Sequence, residues 1–357
     1  MKVTKSFIIQ KHNSIFAVIS FFCALLFIFS AKDVKQASIK SIYNCIEIII
    51  PSVFPMIFFA TFITGTGFSQ RLKARLHKPI SILFGIDGGC LEAMLTGLTG
   101  GYNVALKTAC ALYEKEKTTA EAARRCALFF TSPGLAFTVA VAGISLYNDV
   151  NTGIRFYVIT TAVSLLTAII YNIKHRNYTV FKGYVKNESI SEIFINSVSS
   201  SSNAVISICF SIVLFSVLTQ LLYSVIPIKP VCDLIRLLAE VSSAIIFSSS
   251  VYHTSVTLFC LAFAGFCIFI QSLPDLKKLD IRPLQYFKVR LLQAALCGIA
   301  ELIYTSLFPS SVAAVAHNIT LSSHKGTAFG SVALIFMCLI FLWEAKSIKR
   351  IKSPRQY

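Results

Sequence analysis

Apolar runs of about 17–25 residues, long enough for a helix to cross the hydrocarbon core of a bilayer, recur at 14–30, 52–68, 126–147, 153–171, 203–224, 252–271, 288–306 and 328–343. Two further stretches, 79–113 and 232–250, are apolar but interrupted. Glycines, Asp87 and Glu92 break the first; Asp233, Arg236, Glu240 and a serine cluster break the second. Irregular backbone at bilayer depth survives only where protein or a water-filled cavity satisfies its polar groups, so both stretches read as re-entrant helical hairpins. The pattern predicts an all-α polytopic membrane protein with about eight transmembrane helices plus two re-entrant hairpins.

Charge sets the expected orientation. Treating both interrupted stretches as re-entrant places 25 of the 33 Lys and Arg in cytoplasmic segments, namely those before residue 14 and at 71–78, 115–125, 174–186, 277–290 and 346–355. Making only the first hairpin a full crossing would turn the later basic loops outward, against the positive-inside rule. The expected protein is therefore multi-pass in the inner (cell) membrane with cytoplasmic N- and C-termini. The N-terminal Lys2, Lys5 and Lys11 before an apolar run resemble a signal peptide, but no small-x-small cleavage site follows, which favours a retained first helix.

The same threading contains an internal symmetry. Residues 52–171 run as a span, a hairpin from the cytoplasm, a broken span and a returning span; residues 203–306 repeat this order upside down. Each unit is preceded by a Ser- and Ile-bearing segment, 39–50 or 190–201, that reads as an amphipathic interfacial helix. The organisation expected is an anchor helix at 1–38, a first repeat at 39–171, a cytoplasmic linker at 172–187, a second inverted repeat at 188–310, and a C-terminal helix with basic tail at 311–357. Inverted-topology repeats with paired broken elements are the layout of secondary transporters, whose substrate site lies at the repeat interface.

Composition agrees with the membrane and narrows the chemistry. Mean hydropathy is +0.71 and charged residues make up 14%, against about 25% in soluble domains. The formal net charge of +17 lies in short inter-span clusters and calls for no nucleic-acid partner. Eleven cysteines fall mostly within apolar runs without a Cys-x-x-Cys pair and read as small core hydrophobes. No catalytic motif is present, and the chain is read as neither an enzyme nor a carrier of metal or cofactor.

Candidate substrate-binding groups cluster at the interruptions. Thr99, Gly100, Gly101, Tyr102 and Asn103 combine permissive backbone with hydroxyl, phenol and amide groups, and Lys107 follows one turn later. Lys107 either meets a polar partner or snorkels to the interface. The next span breaks at Thr131-Ser132-Pro133-Gly134, where proline frees a carbonyl for a ligand or leaves a kink satisfied by Thr131 and Ser132 alone. The second hairpin offers Glu240, Ser242 and Ser243. Glu92 and Glu240 are the candidates for ion or proton coupling, while Glu47 and Glu301 read as nearer an interface. His253 has no companion at ligand spacing.

The ordered motifs Thr96-Gly-Leu-Thr-Gly-Gly-Tyr102-Asn-Val-Ala-Leu-Lys107, Ala120-Glu-Ala-Ala-Arg-Arg125, Phe130-Thr-Ser-Pro-Gly-Leu-Ala-Phe137 and Val139-Ala-Val-Ala-Gly143 resemble the nucleoside-recognition (Gate) domain of the sporulation integral membrane protein family of the YlbJ type. Phe263-Ala-Gly-Phe-Cys-Ile-Phe-Ile-Gln271 and Tyr286-Phe-Lys-Val-Arg290 extend the resemblance over roughly 40–310. The family's Gly-Tyr-Pro-x-Gly-Ala-Lys becomes Gly101-Tyr-Asn-Val-Ala-Leu-Lys107, losing the proline and second glycine. The resemblance implies a fold related to concentrative nucleoside transporters, a spore-forming Gram-positive host, and a link to spore cortex or envelope formation. Three roles follow as expectations: a transporter of a small polar, nucleoside-like solute; a sporulation scaffold that keeps the fold without transporting; and, third, a membrane-embedded enzyme. The expected partners are the bilayer and the solute, with self-association into a homo-oligomer left open.

Overall fold

In the computed structural model, residues 21–22, 24–174, 189–226 and 228–308 are described; the runs at 328–343 and most of the linker lie outside them, as does much of 14–30. Among the described residues the chain is helical throughout, without a strand. Four helices are long and apolar enough to cross a membrane, or five if one bent pair forms a single span. Large apolar side chains such as Ile154, Val158, Ile206, Phe210, Leu292 and Ile303 lie exposed on long helices, a surface that suits lipid rather than water.

The first long helix, α1 (Ala31–Gly65), runs unbroken through the segment expected to form a separate interfacial helix. It absorbs Pro51 and Pro55 by widening at Cys45–Ile49, where the Ile50 N–H reaches the Cys45 carbonyl at π-helical spacing. The helix α7 (Ile190–Val225) likewise continues through 190–201, because its start is fixed by a reciprocal Ser189–Glu192 capping box and no glycine or proline interrupts it. Both helices are about 53 Å long at 1.5 Å per residue, far more than a bilayer core requires, so neither needs a second interfacial element.

Between them lie α2 (Gly67–Phe84), α3 (Leu91–Gly100), α4 (Tyr102–Glu114), α5 (Ala120–Phe129), a π-helix at Phe137–Leu146, and α6 (Val150–Lys174). After α7 come α8 (Lys229–Ala239), α9 (Val241–Val251), α10 (Thr254–Phe263), α11 (Gly265–Lys278) and α12 (Pro283–Leu307). The order long helix, helix pair, broken helix, long helix thus occurs twice, with α2 extra in the first half. The pairs are α3/α4 and α8/α9; the broken helices are α5 with the π-helix, and α10 with α11.

Local chemistry explains each interruption. The backbone at Gly101 has φ 98° and ψ −169°, a conformation open only to glycine, and it reverses the chain so that Gly97 packs against Ala105. Glu240 ends α8 in extended conformation and caps α9, its carboxylate accepting from Ser242 N and Ser243 N, each at 2.7 Å. At the α10/α11 break both Ala264 (φ 71°) and Gly265 (φ 76°) are left-handed. The bend between α2 and α3 is 99°, held by buried Asp87, which accepts from Thr118 Oγ1 at 2.8 Å, Thr119 N at 3.0 Å and Cys90 N at 3.1 Å.

The core comprises two large apolar clusters. One joins Ile57, Val141, Phe156, Val205, Ile245 and Leu261; the other joins Phe84, Leu106, Cys126, Phe130, Leu276 and Tyr286. A small cluster of Tyr102, Ala264 and Ile268 stands apart from both. The described cysteines within the helices are free thiols, and most are buried.

Candidate functional site

The tip of each helix pair rests on the break of the broken helix that follows it. A Cβ added at Gly134 would stand 2.7 Å from Thr99 O and 2.9 Å from Gly101 N; one added at Gly265 would stand 3.1 Å from Ala239 O and 3.2 Å from Glu240 Cα. Only glycine permits backbones to approach this closely. Tyr102, just past the first tip, packs on Ala264 and Ile268, so both tips meet the same backbone corner at Ala264–Gly265.

A helix end leaves carbonyls without intrahelical partners, and here each half supplies the groups that satisfy the other half's break. The end of α5 exposes the carbonyls of Ala127, Leu128 and Phe129. Thr131 Oγ1 donates to Ala127 O at 3.2 Å, Arg290 of α12 to Leu128 O at 3.2 Å, and Gln293 to Phe129 O at 3.3 Å. Arg290 also donates to Thr131 O and to the Gln293 side chain. In return, the Tyr102 hydroxyl donates to Leu261 O, the carbonyl that Gly265 N would have taken in an unbroken helix.

Polar contacts continue outward from this crossing. Asn103 donates to Gln271 Oε1 at 2.6 Å and accepts from Ser272 Oγ at 3.4 Å. Gln293 also donates to Thr167 Oγ1 at 2.8 Å. Further along, Tyr147 and Ser248 both donate to Thr257 Oγ1, at 2.8 and 3.1 Å. Glu301, fully buried, pairs with Arg155 at 2.9 Å and so ties α6 to α12. Among the described residues the Ser132 hydroxyl is buried without a partner.

The sequence-derived residues divide accordingly. Thr99, Gly100, Gly101, Tyr102, Thr131 and Ser132 gather at the first tip and break, and Asn103 adjoins them on α4. Glu240, Ser242 and Ser243 stand at the second tip, with Glu240 and Ser243 engaged in capping α9. Lys107 does not join them: it is exposed one turn beyond Asn103. Glu92 is also displaced. It begins α3, about 14 Å along the helix from the tip at 1.5 Å per residue, so the counterpart of Glu240 is Gly101 and not Glu92. Glu301 is buried and pairs with Arg155. His253 caps α10 by accepting from Ser255 N at 3.2 Å.

Sequence reasoning missed Arg290 and Gln293. Arg290 counts in the sequence as one more basic residue of the 277–290 loop, yet it is 4% exposed. Its signal was the spacing Arg-x-x-Gln amid Val289, Leu291 and Leu292, which puts two long polar groups on one face of an apolar helix. Beside Arg290 lies a cavity of about 10 Å³ bordered by Phe263, Ala264, Gly265, Ile268 and Tyr286, the room of a single water. Comparison with known proteins gives no match to a family model, a curated protein or a solved structure.

Proposed function

We propose that this chain is a transporter-like protein of the cell membrane, in which two re-entrant hairpins in inverted repeats hold a small polar solute where their tips meet. The observation that carries this reading is the crossed capping of two backbone breaks by the opposite half, with both tips on the Ala264–Gly265 corner. Broken helices at a repeat interface present backbone oxygens and amides that can exchange an internal partner for a ligand. Alternating access would swap the Arg290, Gln293 and Tyr102 bonds for solute contacts as the halves move.

The resemblance to the nucleoside-recognition (Gate) family adds a link to sporulation and a nucleoside-like solute as the first to try. Uptake into vesicles reconstituted with the purified chain, across a panel of nucleosides, amino acids and anions, tests the reading. Asn103→Ala and Glu240→Ala should each lower uptake of whichever solute enters. Equal uptake in both variants and the parent removes the site.

A second reading, a non-transporting scaffold that keeps the same fold, draws on a separate observation. The carbonyls at the end of α5 are already capped by protein groups, and the adjoining cavity is about 10 Å³. On this reading no solute of the panel accumulates, and Arg290→Gln impairs folding rather than transport.

A further inference from the structure

We propose that Arg290 and the cavity beside the Ala264–Gly265 corner form a binding site for a small anion, either a halide ion or the carboxylate group of a solute. Arg290 is buried, yet its partners are all neutral: Thr131 O, Leu128 O and the Gln293 side chain. Among the described residues it makes no ion pair, whereas Arg124, Arg125 and Arg155 each meet a carboxylate. A guanidinium keeps its charge at any physiological pH, so at the point where both tips meet the protein carries a buried positive charge that, among the described residues, has no carboxylate within ion-pair distance.

Two features aim that charge at a ligand. Among the described residues the Arg290 Nε is buried with no hydrogen-bond partner, although guanidinium donors left unpaired in the interior are costly. Arg290 also borders the cavity, together with Phe263, Ala264, Gly265, Ile268 and Tyr286. An anion there would accept from Nε and supply the missing charge. The nearby acid does not bond to Arg290, because the Glu240 carboxylate is turned onto the amides of Ser242 and Ser243. A volume of about 10 Å³ admits something close to a water in size, which selects a halide or one carboxylate oxygen over a bulky anion.

This inference deepens the transport reading by giving the solute a negative charge, but it concerns binding and stands on a separate assay. The full chain, purified in detergent, is heated in sodium chloride, sodium acetate or sodium methanesulfonate at equal ionic strength. The unfolding midpoint should rise saturably with chloride, acetate or both, and not with the bulkier methanesulfonate, since a ligand that binds only the folded state stabilises it. A response to chloride alone identifies a halide site; a response to acetate alone, a carboxylate site.

Ile268→Phe fills the cavity without touching the Arg290 bonds and should weaken the apparent anion affinity about tenfold or more, the effect of losing one charge-assisted hydrogen bond. Arg290→Lys should keep a response that Arg290→Gln loses. Because Arg290 also caps α5, the glutamine variant can fail to fold, and Ile268→Phe then decides. Identical midpoints in all three salts, or a parental response in Ile268→Phe, overturns the proposal. A specific anion shift with no uptake into vesicles retains this site and removes the transport reading; uptake without an anion shift does the reverse.

Discussion

Replacing Glu301 by leucine should destabilise the protein by about 3–5 kcal/mol, the cost of leaving one member of a buried ion pair without its partner. Glu301 is fully buried and Arg155 is 14% exposed, with the pair at 2.9 Å and a second contact at 3.1 Å. At that separation Coulomb attraction is roughly 6 kcal/mol with an effective dielectric near 20, and desolvation of both groups offsets much of it. The asymmetry between single and double variants is therefore the informative quantity. Glu301→Leu leaves the guanidinium with the Tyr304 ring at 4.9 Å, the Phe156 ring at 5.7 Å and the longer-range attraction of the Asp149 carboxylate, which places the cost toward the lower end, about 3 kcal/mol. Arg155→Met with Glu301→Leu removes both charges and should recover most of that loss. Denaturant unfolding in detergent micelles, run as a double-mutant cycle, measures the coupling. A single variant within about 0.5 kcal/mol of the parent, the scale of an inconsequential surface change, would refute the argument that this pair is desolvated. A double variant as weak as Glu301→Leu alone would show that packing, not charge, joins α6 to α12.

Other perturbations probe the crossed capping and the turns. Tyr102→Phe leaves Leu261 O without its donor and should cost about 1–3 kcal/mol, read as a lowered thermal midpoint. Gly134→Ala drives a methyl to 2.7 Å from Thr99 O and should cost about 1–3 kcal/mol, whereas Gly298→Ala, whose nearest neighbour is 3.3 Å away, should be much milder in the same assay. Asp149, in the turn before α6, has its carboxyl held below the usual range, chiefly by the Thr152 hydroxyl. A depressed folded-state value stabilises above the unfolded value of about 3.9 and is lost as pH falls through the folded one, so Asp149→Ala should lower stability at pH 7 and flatten the decline below pH 4. An unchanged acid limb would remove that role.

Much of the helical order was legible because it follows from local rules. Runs of apolar residues set which segments can be long helices, and Gly101, Pro133, Gly134 and the polar Glu240 mark where those helices give way. The repeated order of long and interrupted helices was legible for the same reason. Helix continuity through 39–50 and 190–201 was not, because amphipathic composition cannot tell a separate surface helix from the first turns of a longer one; capping and the π-helical turn settled it. The exposure of Lys107 was not legible either, since the one-dimensional pattern carries its place along the helix but not the direction of its side chain.

What the tertiary structure alone decided is which group satisfies which break. Arg290 and Thr131 are 159 positions apart, Tyr102 and Leu261 also 159, and Arg155 and Glu301 146. No periodicity encodes such a pairing; the Arg-x-x-Gln spacing puts Arg290 and Gln293 on one helix face but names no partner for either. Local propensity determined where the backbone would break; only the packing of one half on the other, where unsatisfied carbonyls and a buried guanidinium each need a partner, determined how those breaks are held.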